Sequence, residues 1–248
     1  MTANRRLVVI IPAWNEEASV GPVVREVVSH VPGAHVLVVD DGSTDGTAAA
    51  ARAECVAVLS LPFNLGVGGA MRAGYLYAAR GGFDIAVQVD ADGQHDPAEI
   101  KSLVDALDHA DIVIGARFAG TDGYAVRGPR RWAMRLLAWR LSRMAKTTLT
   151  DTTSGFRAVN RRVIALFAHD YPVEYLGDTV ESLVVATRAG FRITQVPVTM
   201  RPRTIGAPSQ TRWKATIYFL RAGLVLLLAT IRRQPEVPTP ADTKEHRP

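Results

Sequence analysis

A single cysteine, Cys55, stands among 248 residues, so the chain has no disulfide framework and cannot build a cysteine-based zinc cage. In its apolar surroundings Cys55 reads as a small buried hydrophobe. There is also no run of about twenty uncharged apolar residues, the length a spanning helix needs. The most apolar stretch, from Trp213 to Arg233, is interrupted by Lys214 and Arg221, leaving ten uncharged residues from Ala222 to Ile231. The N-terminus passes from Asn4-Arg5-Arg6 straight into LVVIIP, too short for a secretory core with its cleavage site, and the expectation is a cytoplasmic location. Two phosphate-binding signatures are missing as well. No G-x-x-x-x-G-K-[ST] occurs, and Gly66, Gly68 and Gly69 fall short of G-x-G-x-x-G because residue 71 is Met71 and because they follow the third apolar run, not the first. A P-loop and a nicotinamide-type dinucleotide site are thereby excluded.

What is present is an ordinary globular composition, 48% hydrophobic and 21% charged, in a chain long enough to bury a substantial core. The formal net charge of +5 is unevenly placed. Between Arg117 and Lys146 eight basic residues face one acid, Asp122, which leaves the remainder slightly acidic. Positive charge confined to one segment points to a local anionic partner such as phosphate or a membrane surface.

Apolar runs of strand length occur at residues 7–11, 35–41, 56–61, 84–90 and 111–117, with helical stretches between them. This alternation predicts an α/β fold: a mainly parallel sheet with helices on both faces. Ligands of such sheets bind beyond the carboxyl ends of the strands. Every polar cluster of the first half falls there: Asn15-Glu16, Asp40-Asp41, Asn64 with its glycines, Asp90-Ala91-Asp92, and Arg117. With the period of two along a strand, Asp90 and Asp92 point to one side and could hold a hard divalent cation, which takes oxygen ligands. An isolated D-x-D is as well read as an Asp-rich turn. Four companion clusters on the same edge favour the site.

The segments PAWNEE, VVDDGSTDGT, NLGVGGAMRAG, DADGQHDP and IGARF, in this order and at these strand ends, together resemble a family 2 glycosyltransferase of the GT-A fold, which is Rossmann-like. Within that family the chain is similar to the polyprenyl-phosphate glycosyltransferases, including dolichyl-phosphate mannose synthases. The resemblance runs over roughly residues 6 to 210. It implies that Pro12, Asn15 and Glu16 line a nucleotide pocket, that Asp40 and Asp41 contact base or ribose, and that Asp90 and Ala91 adjoin them. It further implies that Asp90, Asp92 and Gln94 hold Mg²⁺ or Mn²⁺, with Asp92 the surest ligand. His95 receives no role from it and reads as a loop residue. Such a metal would stabilise the departing diphosphate of a nucleoside diphosphate sugar, and the resemblance implies inversion at the anomeric carbon.

In the second half, RGPRRWAMRLLAWRLSRMAK on a helical wheel places Trp132, Leu136, Trp139 and Arg143 on one face, with Ala133, Leu137, Leu141 and Met144 on the other. A Trp and Arg face suits a lipid headgroup layer, or a surface helix under a neighbouring element. Nucleic acid is the lesser option, since no recognised motif accompanies the basic and aromatic residues. Thr150 to Arg157, TDTTSGFR, resembles the family's acceptor-side segment and makes Asp151 a candidate carboxylate or general base. Asp178 and Glu181 match acceptor-side acids loosely. MRPRTIGAPSQ resembles R-x-x-G-x-S with one residue more between Gly206 and Ser209, giving Arg203 and Ser209, with Gln210 where the family usually has Lys. Arg117, Arg131, Arg157, Arg203 and Ser209 are the candidate phosphate contacts, arginine offering a bidentate fork.

The expected organisation is a glycosyltransferase domain over residues 1–210, an amphipathic or shallow membrane-associated helix over 211–233, and a proline-bearing disordered tail over 234–248. The expected activity is metal-dependent transfer of a hexose from a GDP-mannose or UDP-glucose type of donor to a polyprenyl phosphate. It would take place at the cytoplasmic membrane face, with homo-oligomerisation left open. The alternatives are a soluble family 2 enzyme with a hydroxyl acceptor and a non-catalytic nucleotide-sugar-binding protein.

Overall fold

The apolar runs of the first half form strands, as their pattern predicts. The computed structural model describes residues 5–117, 139–145, 147–172 and 178–202. Among these, one sheet contains β1 (Leu7–Ala13), β2 (His35–Asp40), β3 (Ala57–Ser60), β4 (Ile85–Gln88), β5 (Ile112–Arg117), β6 (Arg157–Asn160) and β7 (Ile193–Val198). The spatial order is β3-β2-β1-β4-β6-β5-β7. Every neighbouring pair is parallel except the two made by β6, which runs antiparallel between β4 and β5. The helices are α1 (Glu17–His30), α2 (Thr47–Ala53), α3 (Gly66–Arg80), α4 (Ile100–Ala106, preceded by a 3₁₀ turn at Pro97–Glu99), α5 (Arg161–Asp170) and α6 (Asp178–Arg188).

Strand alternation divides the core into two layers. Val8 and Ile10 of β1, with Leu37 and Val39 of β2, pack with Met71, Tyr75, Phe167 and Leu183 of α3, α5 and α6. Val9, Ile11, Val36 and Val38 face the other way, toward Val20, Val24 and Val27 of α1 and Ile100 and Leu103 of α4. Buried aliphatic and aromatic side chains of this kind each contribute about 1.5–3 kcal/mol. Two local features fix the layers. Gly74 lets α3 lie on β1, since a Cβ there would sit 2.6 Å from Ile10 Cγ2. Asn160 caps α5 through its Oδ1, which accepts from the Val163 N–H at 3.1 Å.

Two expectations are corrected. Cys55 is exposed, not buried. It occupies a left-handed conformation, φ 56°, where the chain reverses between α2 and β3, and a residue at such a tight turn faces solvent. The strand β6 was not expected at all: four residues beginning with an arginine carry no strand-length apolar run.

The helical stretch 139–145 agrees with the wheel. Leu141 is buried and Met144 packs on the core, while Trp139 is 52% exposed with the Arg143 guanidinium 5.5 Å from its ring centroid. The rest of that basic segment, the helix expected over 211–233 and the tail over 234–248 lie outside the described residues. Among the described residues no helix is long and apolar enough to cross a membrane.

Candidate active site

The loops leaving β1, β2 and β3 interlock at the carboxyl rim. Asn15, at φ 54°, donates its N–H to Ser43 Oγ at 3.0 Å, and its Oδ1 accepts from the Thr44 N–H at 2.9 Å. Glu16 donates its N–H to Thr47 Oγ1 at 2.8 Å, and its Oε2 accepts from Ser19 Oγ at 2.7 Å. Gly42 lies against the backbone of the next loop, where a Cβ would fall 2.5 Å from the carbonyl carbon of Phe63. With φ at 66° as well, glycine is required there. Pro12 lies at the end of β1, past the last β1–β4 pair, Ile10 with Gln88.

Behind these loops sit two adjacent buried carboxylates, Asp40 at 5% and Asp41 at 3% exposure. Asp40 Oδ1 accepts from the Ser43 N–H at 3.1 Å, and Asp41 Oδ1 from the Leu65 N–H at 2.7 Å. Burial pushes the Asp41 carboxyl above its ordinary pKa. The N–H groups of Leu65 and Gly66 oppose that shift, and the neighbouring Asp40 adds to it.

At the end of β4 the alternation continues past the strand. Val87, Val89 and Ala91 are buried in the layer under α1 and α4, so Gln88 and Asp90 share the opposite side, and Asp92 follows in the turn beyond. Ala91 therefore offers only backbone to the rim. Asp92 Oδ1 accepts from the Gln94 N–H at 3.0 Å across a turn in which Gly93 has φ 74°. Gln88 Nε2 donates to Asp90 Oδ1 at 3.0 Å. The Asp90 N–H donates to His95 Nδ1 at 3.0 Å, and His95 Nε2 lies 3.6 Å from Asp90 Oδ2.

The segment 150–157 crosses directly beside this turn. A Cβ on Gly155 would lie 3.1 and 3.2 Å from the two Asp90 carboxylate oxygens, so the D-x-D and the candidate acceptor segment are neighbours. Asp151 caps its own turn: Oδ1 accepts from the Thr153 N–H at 3.1 Å and the Thr153 hydroxyl at 3.0 Å, while Gln195 Nε2 donates to the Asp151 carbonyl at 2.7 Å.

Arg157 is corrected. It was expected on a phosphate, but it is fully buried, its guanidinium donating to Ser182 Oγ and the Ser154 carbonyl at 2.9 Å each. The cause is register: β6 places Arg157 directly opposite Gln88 inside the sheet, where it reaches Ser182 of α6. Arg117 is the last residue of β5 and so stands at the rim. Arg131, Arg203 and Ser209 lie outside the described residues. Arg201, next to them, is already engaged by Glu26 Oε2 at 2.6 Å and Asp96 Oδ1 at 2.9 Å. Those partners, the Glu26 carboxylate first, raise its pKa further.

Among the described residues no three His, Cys, Asp or Glu side chains form a closed metal cage. The candidate donors at this turn, the carboxylates of Asp90 and Asp92 with the carboxamide of Gln94, are an open set. Such a set fits a hard cation such as Mg²⁺, which is commonly held by one or two carboxylates with substrate phosphates and water in its other positions. Sequence reasoning missed Gln88 and His95. His95 lies within DADGQHDP but receives no role from it, and the contacts of both side chains are made only once the chain has folded.

A mostly parallel seven-stranded sheet with one antiparallel strand, and carboxylates gathered at its carboxyl rim, defines a GT-A-type glycosyltransferase. The chain belongs to glycosyl transferase family 2, whose sequence model matches residues 8–167. It is 34% identical over 224 residues to the polyprenol monophosphomannose synthase of Mycolicibacterium smegmatis, covering 82% of this chain and 80% of that one. It is likewise 34% identical over 211 residues to the undecaprenyl-phosphate mannosyltransferase of Micrococcus luteus, covering 81% and 86%. Among solved structures, glucosyl-3-phosphoglycerate synthase from Mycobacterium tuberculosis in complex with phosphoglyceric acid shares the fold. It has a TM-score of 0.71 at 24% identity, over 92% of this chain and 80% of that one. The same enzyme has been seen with Mg²⁺ and UDP, at a TM-score of 0.70 and 23% identity.

Proposed function

We propose that this glycosyltransferase moves a hexose from a nucleoside diphosphate sugar to a polyprenyl phosphate at the inner membrane surface, with inversion and with Mg²⁺ or Mn²⁺. The observation that carries the reading is the likeness to two enzymes named for mannosyl transfer to polyprenyl phosphates, which extends over about four fifths of each chain. Mannose is accordingly the sugar to test first. Asp40 and Asp41 are acceptors for ribose hydroxyls or base N–H groups, and the Asn15 and Glu16 loop closes the nucleoside side of the pocket with Pro12. Asp92, Asp90 and Gln94 hold the cation. Bound there, a divalent cation supplies Lewis-acid neutralisation of the diphosphate.

On the acceptor side, Arg117, Arg131, Arg203 and Ser209 are assigned to phosphate. Asp151 needs no base role. A phosphomonoester has its second pKa near 6, so it is largely dianionic at neutral pH and attacks without losing a proton. Asp151→Asn keeps an Oδ1 acceptor for Thr153 and is expected to hold turnover within about tenfold. A loss of about 10²-fold or more would instead assign the base role a hydroxyl acceptor demands. The decisive assay incubates the full chain with Mn²⁺, GDP-mannose or UDP-glucose, and undecaprenyl phosphate or a water-soluble alcohol acceptor. Nucleotide release and a lipid-linked hexose by mass spectrometry are expected with the phosphate. Absence of both with every donor would sink the proposal.

A further inference from the structure

His95 is closely held within the D-x-D turn. It is 5% exposed, although it lies in a loop five residues beyond Asp90. Its ring stacks on Phe156, centroids 4.8 Å apart and planes 14° from parallel. Its backbone forms an antiparallel bridge with Met200, and the next residue, Arg201, donates its N–H to the Gln94 carbonyl at 2.9 Å. The Arg201 guanidinium then ties Asp96 to Glu26 of α1. The turn is thus pinned from three directions.

The polar atoms of the ring are spent on one residue. Val89 makes the last ladder contact of this chain segment, donating its N–H to Ile10. The Asp90 N–H that follows would be left without a ladder acceptor, and His95 Nδ1 takes it at 3.0 Å. Because Nδ1 accepts, the hydrogen-bond network assigns the ring proton to Nε2, the atom facing Asp90 Oδ2 at 3.6 Å. Gln88 donates to the other oxygen, Oδ1, and the Gly155 backbone covers the pair, with a Cβ there falling 2.9 Å from Gln88 Nε2 and 3.1 and 3.2 Å from the Asp90 carboxylate oxygens. The Asp90 main chain and both carboxylate oxygens are therefore oriented by protein groups before any ligand arrives.

We infer that His95 is a positioning residue for the metal site: by accepting the Asp90 N–H it sets the direction in which Asp90 presents its carboxylate to a divalent cation. Groups that orient metal-binding carboxylates typically change affinity by about 10–100-fold when removed. The inference rests on the donor-site reading proposed above, and its test reads metal binding directly.

Mn²⁺ is titrated into the full chain with saturating GDP or UDP and followed by the loss of the free-ion electron paramagnetic resonance signal, with melting temperature recorded in parallel. His95→Phe keeps the stack on Phe156 and removes the acceptor. The folded variant is expected to bind Mn²⁺ about 10–100-fold more weakly. His95→Asn, whose Oδ1 can stand near the position of Nδ1, is expected to recover most of that loss without recovering the stack. A purely structural role predicts the reverse, a lowered melting temperature in His95→Asn with Mn²⁺ binding unchanged in both variants, and that result overturns the inference. If His95→Phe does not fold, His95→Gln replaces it, with the same weakening expected and unchanged binding again overturning it. Failure of the wild-type chain to bind Mn²⁺ with either nucleotide overturns the donor-site reading as well, whereas equal binding by wild type and variants removes the role of His95 alone.

Discussion

Asp41 is held where its charge is costly, as carboxylates of functional sites commonly are. Burial raises its folded pKa above the unfolded value of about 3.9. The fold therefore favours the protonated form, and the stability this group lends is present at low pH and lost as pH rises through the folded pKa. At neutral pH the carboxylate is a burden on the fold. Asp41→Asn keeps an acceptor for the Leu65 N–H and removes the repulsion from Asp40. Its melting temperature at pH 7 should exceed that of the wild type, while titration with GDP or UDP should show weaker binding. A lower melting temperature would contradict this account. At this scale the sequence was readable where location follows from strand pattern: Asp40, Asp41, Asp90 and Asp92 all lie at the rim. It was not readable where function follows from a partner. Arg157 reads as a phosphate ligand from its place in the acceptor-like segment and its bidentate fork, yet its surroundings are set by Gln88 across the ladder and Ser182 on a distant helix.

Among the elements, α3 shows packing overruling propensity. Alanine is the better helix former by about 1 kcal/mol, but at position 74 its Cβ would meet Ile10 Cγ2 at 2.6 Å, with Ile10 itself buried in the central strand. Overpacking costs about 1–3 kcal/mol, so Gly74→Ala should lower the melting temperature, by about 2–4 °C for each net kcal/mol. Thermal denaturation that shows an increase would mean that α3 can move off β1 without penalty. The five parallel strands of the first half were legible because each spells an apolar run, β1, β2, β4 and β5 from the buried interior of the sheet and β3 from its half-buried edge. The strand β6 was not, since its burial comes from insertion between two strands already defined by their own sequences.

For the whole molecule, the position of β6 sets an order of assembly. Strands β3, β2, β1 and β4 are complete by Gln88, and β5 follows at Ile112–Arg117, yet the strand that joins the two halves is Arg157–Asn160. During synthesis at about 5–20 residues per second, the outer edge of β4 waits roughly 4–14 s for its partner. Over that interval β5, which runs in the same direction as β4, can pair there directly and must be displaced. An open edge of this kind is a template for wrong pairing. Ribosome-bound chains arrested near residue 130 should therefore expose β4 to proteolysis, and chains extended well past residue 160 should protect it; equal protection in both would mean that the halves close without β6. The antiparallel strand that brings the candidate acceptor segment beside the D-x-D turn also joins the two halves of the sheet, so on this order of assembly the candidate site forms only when the sheet closes.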